Sequence, residues 1–174
     1  MKKPLTALLL CLPLHGTADA QLMSTPPQLT QEQAQRLMAR QMQMMASMFD
    51  YRRSRLDFDT TITALVTAAE KQGWKKNQVH DAQAAMKQAG VADSKRVKVV
   101  LICPPAFNDK LAKASQGKLP PHPCRFTVFE GRDGKTYVVK MNSTLFAQGL
   151  QGEAGKLLSE IAADEEAILK GIAE

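Results

Sequence analysis

Between Val97 and Cys103 the chain reads Val-Lys-Val-Val-Leu-Ile-Cys and then meets Pro104-Pro105. A run this rich in β-branched side chains, closed by two prolines that cannot donate to a ladder, is a strand and obliges the chain to build a sheet around it. A second sheet signal lies close behind. Arg132-Asp133-Gly134 separates two more strand-like runs, Cys124 to Glu130 and Lys135 to Met141, which is the pattern of a β-hairpin. With these strands in the middle of 174 residues, the expectation is one α+β domain with a terminal extension.

The flanks supply the rest of the fold. Phe49 to Leu56 alternates like an edge strand, and Asp57 or Asp59 caps a helix from about Thr60 to Gln72. That helix has Ile62, Leu65, Val66 and Ala69 as its apolar face, and Gly73 ends it. A strand from about Trp74 to Val79, a short helix from Asp81 to Gln88 closed by Gly90, and a helix from Phe107 to Ala114 are expected before the loop Gln116 to Pro123. Gly155 to Ile172 is an amphipathic helix with Leu157, Leu158, Ile161, Ile168 and Leu169 on one side.

The chain opens as a secretory signal over residues 1–20. Lys2 and Lys3 form the charged region, Leu5 to Leu14 the apolar stretch, and Ala18-Asp19-Ala20 the cleavage site. The apolar run falls well short of the about 20 residues needed to span a bilayer, so a membrane anchor is disfavoured. A lipoprotein modified at Cys11 is disfavoured by the bulk of Leu10 before it. The mature protein, starting near Gln21, is expected in the periplasm or outside the cell, with two cysteines and two histidines.

Residues 21–48 hold Ser24-Thr25-Pro26-Pro27 and then a helix from about Gln31 to Met48, opened by a Thr30/Gln33 capping box. This helix carries Met38, Met42, Met44, Met45 and Met48, with Met38, Met42 and Met45 at i, i+4 and i+7 on one face. Thioethers serve either as adaptable packing or as ligands for Cu(I). The single α+β domain is expected over 49–174.

In a hairpin with an even-numbered loop, direct cross-strand partners have numbers with an odd sum. Cys124, Phe126 and Val128 then share the core face with Tyr137, Val139 and Met141. Val97, Val99, Leu101 and Cys103 are expected on that same face of the preceding strand. If that strand runs antiparallel to Cys124–Glu130, Cys103 and Cys124 meet at one rim, with Met141 across from Cys124 and His122 just outside.

From about Tyr51 to Asn142 the chain resembles the domain-of-unknown-function family 302. The resemblance rests on Cys103-Pro104-Pro105 at a strand end, Pro123-Cys124-Arg125 opening the next strand, Tyr137 in the hairpin, and the terminal Met141-Asn142. Many members have Asn where this chain has Pro104, and the methionine helix lies outside the family core. The resemblance implies a β-α-β-β-β-β-α type fold, a curved antiparallel sheet with helices on one face, and brings no established activity.

Three readings compete for the cysteine pair. In an oxidising compartment a structural disulfide closing a loop of about 20 residues contributes roughly 3 kcal/mol through chain entropy. A soft-metal site would use Cys103 and Cys124 thiolates with Met141 or His122, and Met42, Met45 and Met48 as a donor arm. A redox-active disulfide lacks the usual Cys-x-x-Cys at a helix start.

Conventional enzyme classes find little support, since GxSxG, HExxH, P-loop and dinucleotide fingerprints are all absent. His80 is expected as a solvated neighbour of a helix cap and His122 as loop surface. Asp164, Glu165 and Glu166 are expected on a solvated helix face. Arg52, Arg53 and Arg55 suggest either an anion cradle or a charged edge that blocks strand pairing. The excess of 23 Lys and Arg over 17 Asp and Glu falls short of a nucleic-acid-binding stripe. A composition 44% hydrophobic and 23% charged excludes a wholly disordered chain and a polytopic membrane protein. The expectation is an exported binding or accessory module, off the membrane once the signal is cleaved, with copper as its best specific ligand. The alternatives are a protein handling thiols, disulfides or sulfur compounds through Cys103 and Cys124, and a structural module dimerising through a sheet edge or the methionine helix.

Overall fold

The computed structural model describes residues 29–174. The secretory signal expected over 1–20, with Cys11, and the Ser24-Thr25-Pro26-Pro27 segment lie outside the described residues. In chain order the elements are α1 (Gln31–Ser47), β1 (Phe49–Arg53), α2 (Phe58–Lys71), β2 (Lys75–Asp81), α3 (Ala82–Gln88), β3 (Val97–Cys103) and α4 (Phe107–Ala114), then β4 (Arg125–Glu130), β5 (Thr136–Met141), α5 (Ser143–Gln148) and α6 (Gly152–Leu169). Four of the helix starts, those of α1, α2, α3 and α5, follow side-chain capping chemistry. Thr30 and Gln33 bond reciprocally at the start of α1, the Asp57 carboxylate accepts from the Thr60 N–H at 3.0 Å, and Asp81 and Asn142 cap α3 and α5.

The five strands form one open antiparallel sheet in the order β1-β5-β4-β3-β2. Phe58, Leu65 and Ala69 of α2, with Leu158, Ile161 and Ile168 of α6, close over Val100, Ile102, Phe126, Val128 and Val138. A fully buried Phe or Leu contributes about 2 to 3 kcal/mol by leaving water, so this single cluster supplies the cohesion of the domain. The chain end is stitched to β1: the Arg53 and Glu174 backbones exchange two 2.9 Å hydrogen bonds, and Ser54 pairs with Ala173.

The sheet corrects the expected register. The loop between β4 and β5 has five residues, with the Gly131 N–H donating to the Lys135 carbonyl at 2.8 Å and Gly134 in the left-handed region at φ 73°. An odd-numbered loop gives partners with an even sum, Val128 with Val138 and Phe129 with Tyr137. Phe126 and Val128 face the core as expected, but their companions on β5 are Thr136, Val138 and Lys140. Val139 belongs to the opposite face, and Met141 ends the strand. On β3 the fully buried residues are Val100 and Ile102, not Val99 and Leu101.

Helix α1 buries none of its residues. It is tied to the domain at its C-terminal end, where the Asn142 N–H donates to the Met48 carbonyl at 2.9 Å and the Asn142 side-chain amide to the Ser47 carbonyl at 3.0 Å. Among the described residues no helix is long and apolar enough to cross a membrane.

Candidate functional site

Antiparallel order brings five strand ends to one rim of the sheet. Phe49 at the start of β1 pairs with Met141, Lys75 at the start of β2 pairs with Cys103, and Arg125 at the start of β4 pairs with Leu101. Cys103 and Cys124 are joined there by a disulfide, with Cα atoms 5.1 Å apart. They do not reach each other from a shared face. The Ile102 N–H donates to the Cys124 carbonyl at 3.1 Å, so Cys103 lies diagonal to Cys124, and the left-handed backbone of Cys124 (φ 40°) departs from strand alternation just before β4. The two sulfurs sit in unlike surroundings. Cys124 is buried in the core cluster, whereas half-buried Cys103 lines an open cleft of about 280 Å³ with Lys75, Asn77, Pro104, Phe107 and Asn108.

His122 corrects an expectation, since it is buried beside the disulfide rather than on the loop surface. Asn108 pins its backbone on both sides, the side-chain oxygen accepting from the His122 N–H at 2.8 Å and the amide donating to its carbonyl at 3.1 Å. Its Nδ1 accepts the Cys124 N–H at 3.1 Å, so the ring proton resides on Nε2, 3.0 Å from the Ser143 hydroxyl. Phe107 meets the ring edge-on at 5.8 Å. Burial, reinforced by the positive charge of Lys140, lowers the His122 pKa to about 4, and the ring is neutral at physiological pH.

Beyond Ser143 the polar chain continues into a buried ion cluster. The Lys140 ammonium lies 3.0 Å from Glu165 and 3.2 Å from Asp50, and Asp50 is also bonded by Arg52 at 2.8 Å. Burial pushes the Glu165 carboxyl up despite the opposing pull of Lys140 and of the Ser143 hydroxyl. For Asp50 the balance reverses. Burial raises it, but Arg52 and Lys140 together outweigh that and hold it below the usual carboxylate range.

The wider soft-metal set does not fit as a single centre. Cys103 and Cys124 spend their sulfurs on each other, both His122 ring nitrogens are engaged, and Met141 stands at the end of β5 opposite Phe49. Met141 and His122 do meet as walls of an apolar hollow of about 150 Å³ that also includes Leu111, Phe146 and Leu150. Among the described residues no three His, Cys, Asp or Glu side chains cluster as metal ligands. The thioethers of α1 are different: Met38, Met42, Met44 and Met45 are 58% to 71% exposed, and Met48 is half-buried at the rim.

The arginines form no open anion cradle. Arg52 pairs with Asp50 and Glu166, while Arg53 and Arg55 share Glu174 at 3.1 and 2.7 Å. His80 is exposed, as expected.

Sequence reasoning missed Lys140, Ser143 and Glu165 as parts of one buried network. Glu165 stands on the buried stripe of α6 with Leu158, Ile161 and Ile168, at helical spacing, and that periodicity was the signal available. Lys140 emerges as core-facing only once the hairpin loop is counted as odd. Asp164, by contrast, accepts the Trp74 indole N–H at 3.2 Å.

An open antiparallel sheet covered by helices and closed at one rim by a disulfide defines a small α+β domain. Residues 50–174 match the domain of unknown function DUF302, and the chain belongs to that family. The crystal structure of an uncharacterized conserved DUF302 protein from Bacillus stearothermophilus has the same fold, with a TM-score of 0.59 at 14% identity over 71% of this chain and 97% of that one. No curated protein matches the sequence.

Proposed function

We propose that this is an exported accessory protein that binds a soft metal ion, Cu(I) being the best chemical match, through the methionines of α1. The observation that carries the reading is that Met38, Met42 and Met45 are exposed on one face of a helix that buries nothing. At about 1.5 Å per residue, Met38 and Met45 are roughly 10 Å apart along the axis with Met42 between them. Met38 with Met42 and Met42 with Met45 are the i,i+4 and i,i+3 pairs that lie side by side on a helix surface, so Met42 can share an ion with either neighbour, and thioether sulfur prefers Cu(I) to the harder divalent ions. Gln41 and Gln43 bring no competing strong ligand to the helix. Export through the N-terminal signal would bring such a site to a compartment where copper is met.

The experiment is a Cu(I) competition titration against a chromophoric chelator under anaerobic conditions, with ascorbate as the reductant so that the Cys103–Cys124 bridge stays oxidised. Wild type is expected to take up Cu(I) stoichiometrically, and the Met38→Leu/Met42→Leu/Met45→Leu variant to lose at least tenfold in affinity. Equal affinity in the variant overturns the reading.

A further inference from the structure

We propose that the Cys103–Cys124 disulfide is a thiol-exchange site in which Cys103 is the sulfur attacked and Cys124 the sulfur released. The grounds are independent of the methionine helix. Cys124 is buried in the core cluster beneath the rim, with its backbone N–H held by His122. Cys103 stands in the wall of a cleft of about 280 Å³ that is open to solvent. Thiol–disulfide exchange needs the incoming sulfur in line with the scissile bond, so the accessible end of an unequally buried disulfide receives it.

The cleft is chemically mixed, and that fixes the class of substrate. Lys75, the direct strand partner of Cys103, supplies a positive charge, Asp109 a negative one, Asn77 and Asn108 hydrogen-bonding amides, and Pro104 and Phe107 apolar surface. Such a lining suits a thiol carried on a zwitterionic, amide-bearing molecule, the chemistry shared by a small cysteine-containing peptide and a cysteine within a polypeptide. In the first step the thiolate bonds to Cys103, the Cys103–Cys124 bond breaks, and Cys124 leaves with the electron pair and takes up the proton given up by the incoming thiol. In the second, another substrate thiol attacks the mixed disulfide and expels Cys103 as a thiol. Two thiols are oxidised to a disulfide, and one protein disulfide is reduced to two thiols.

The test is exchange with the folded, oxidised protein at neutral pH, with glutathione in one arm and a cysteine-containing octapeptide in the other. Thiol counting follows the reaction, and peptide mapping of acid-trapped intermediates locates the adduct. The expected result is a mixed disulfide at Cys103 in at least a tenfold excess over Cys124, with the faster arm naming the source of the thiol. Cys124→Ser, if folded, should form the adduct with oxidised glutathione at least tenfold faster than Cys103→Ser. A wild-type bridge that stays oxidised in excess thiol until the protein unfolds overturns the proposal and leaves the disulfide a staple. An adduct mapped mainly to Cys124 overturns it equally.

Discussion

The Cys124 backbone N–H donates to Nδ1 of His122 across 3.1 Å, and this bond sets the tautomer of a buried imidazole two residues before the disulfide. The bond requires an unprotonated Nδ1. The folded protein keeps the ring neutral down to about pH 4, whereas in the unfolded chain it protonates near pH 6.5.

Acid stability should follow from that difference. Between about pH 6.5 and pH 4 the unfolded state binds a proton that the folded state refuses, so the stability conferred by His122 is complete above this window and falls as pH drops through it. The loss is expected to reach about 3 kcal/mol. Glu165, with its raised pKa, acts in the opposite sense, so the informative quantity is the difference between wild type and His122→Gln. Urea unfolding at pH 7.5 and 4.5 should show that difference shrinking in acid. A difference independent of pH would mean that the ring is not excluded from protonation in the fold.

Lys140 is flanked by two carboxylates, and breaking that cluster from one side should be costly. Lys140→Met leaves Glu165 buried without its counter-ion and is expected to destabilise the domain by about 3 to 5 kcal/mol. The double variant Lys140→Met/Glu165→Leu removes both charges together and should recover most of that loss, since Asp50 retains Arg52. A double-mutant cycle by denaturant unfolding checks this. Additive effects would show that the pair is not coupled.

Strand positions and the caps at Thr30, Asp57 and Asp81 were legible because each depends on local chemistry: prolines after a β-branched run, a Thr30/Gln33 box, an Asp57 oxygen three residues before an N–H. Cys103 and Cys124 meet as expected, but through strand order rather than the shared face that was expected of them. The orientation of the sheet was not legible. It turned on whether the hairpin loop held an even or odd number of residues, and Gly131 with Lys135 closing the loop decides this through a backbone bond that composition does not reveal. That single residue exchanged Val139 for Val138 in the core and hid Lys140. Burial of His122 was likewise illegible, because it depends on Asn108, fourteen positions away, holding the loop backbone.

Gly155 is expected to tolerate no side chain. A Cβ built there would stand 2.5 Å from the Leu150 carbonyl oxygen, a backbone atom in the turn that seats α6 against α5. Gly155→Ala should therefore cost about 1 to 3 kcal/mol, despite the better helix propensity of alanine. Thermal unfolding of the variant measures it, and an unchanged or higher Tm would show that the α5–α6 turn shifts freely.

The methionines of α1 give the sharpest separation between packing and exposed chemistry. Met38, Met42, Met44 and Met45 are all exposed, and α1 has no buried residue, so the domain gains nothing from their volume. Replacing these four by Leu keeps the helix former and the apolar bulk while removing sulfur. Surface substitutions of this kind stay within about 0.5 kcal/mol, so the urea midpoint of the variant should match wild type. Polar replacement by Gln should leave it equally unmoved, because Gln is as good a helix former as Met and no core contact is lost. A loss of 2 kcal/mol or more on Gln substitution, about what a buried thioether is worth, would mean that α1 folds back and packs in solution. The exposed-arm geometry on which soft-metal capture rests would then fail, whatever the Cu(I) titration reads.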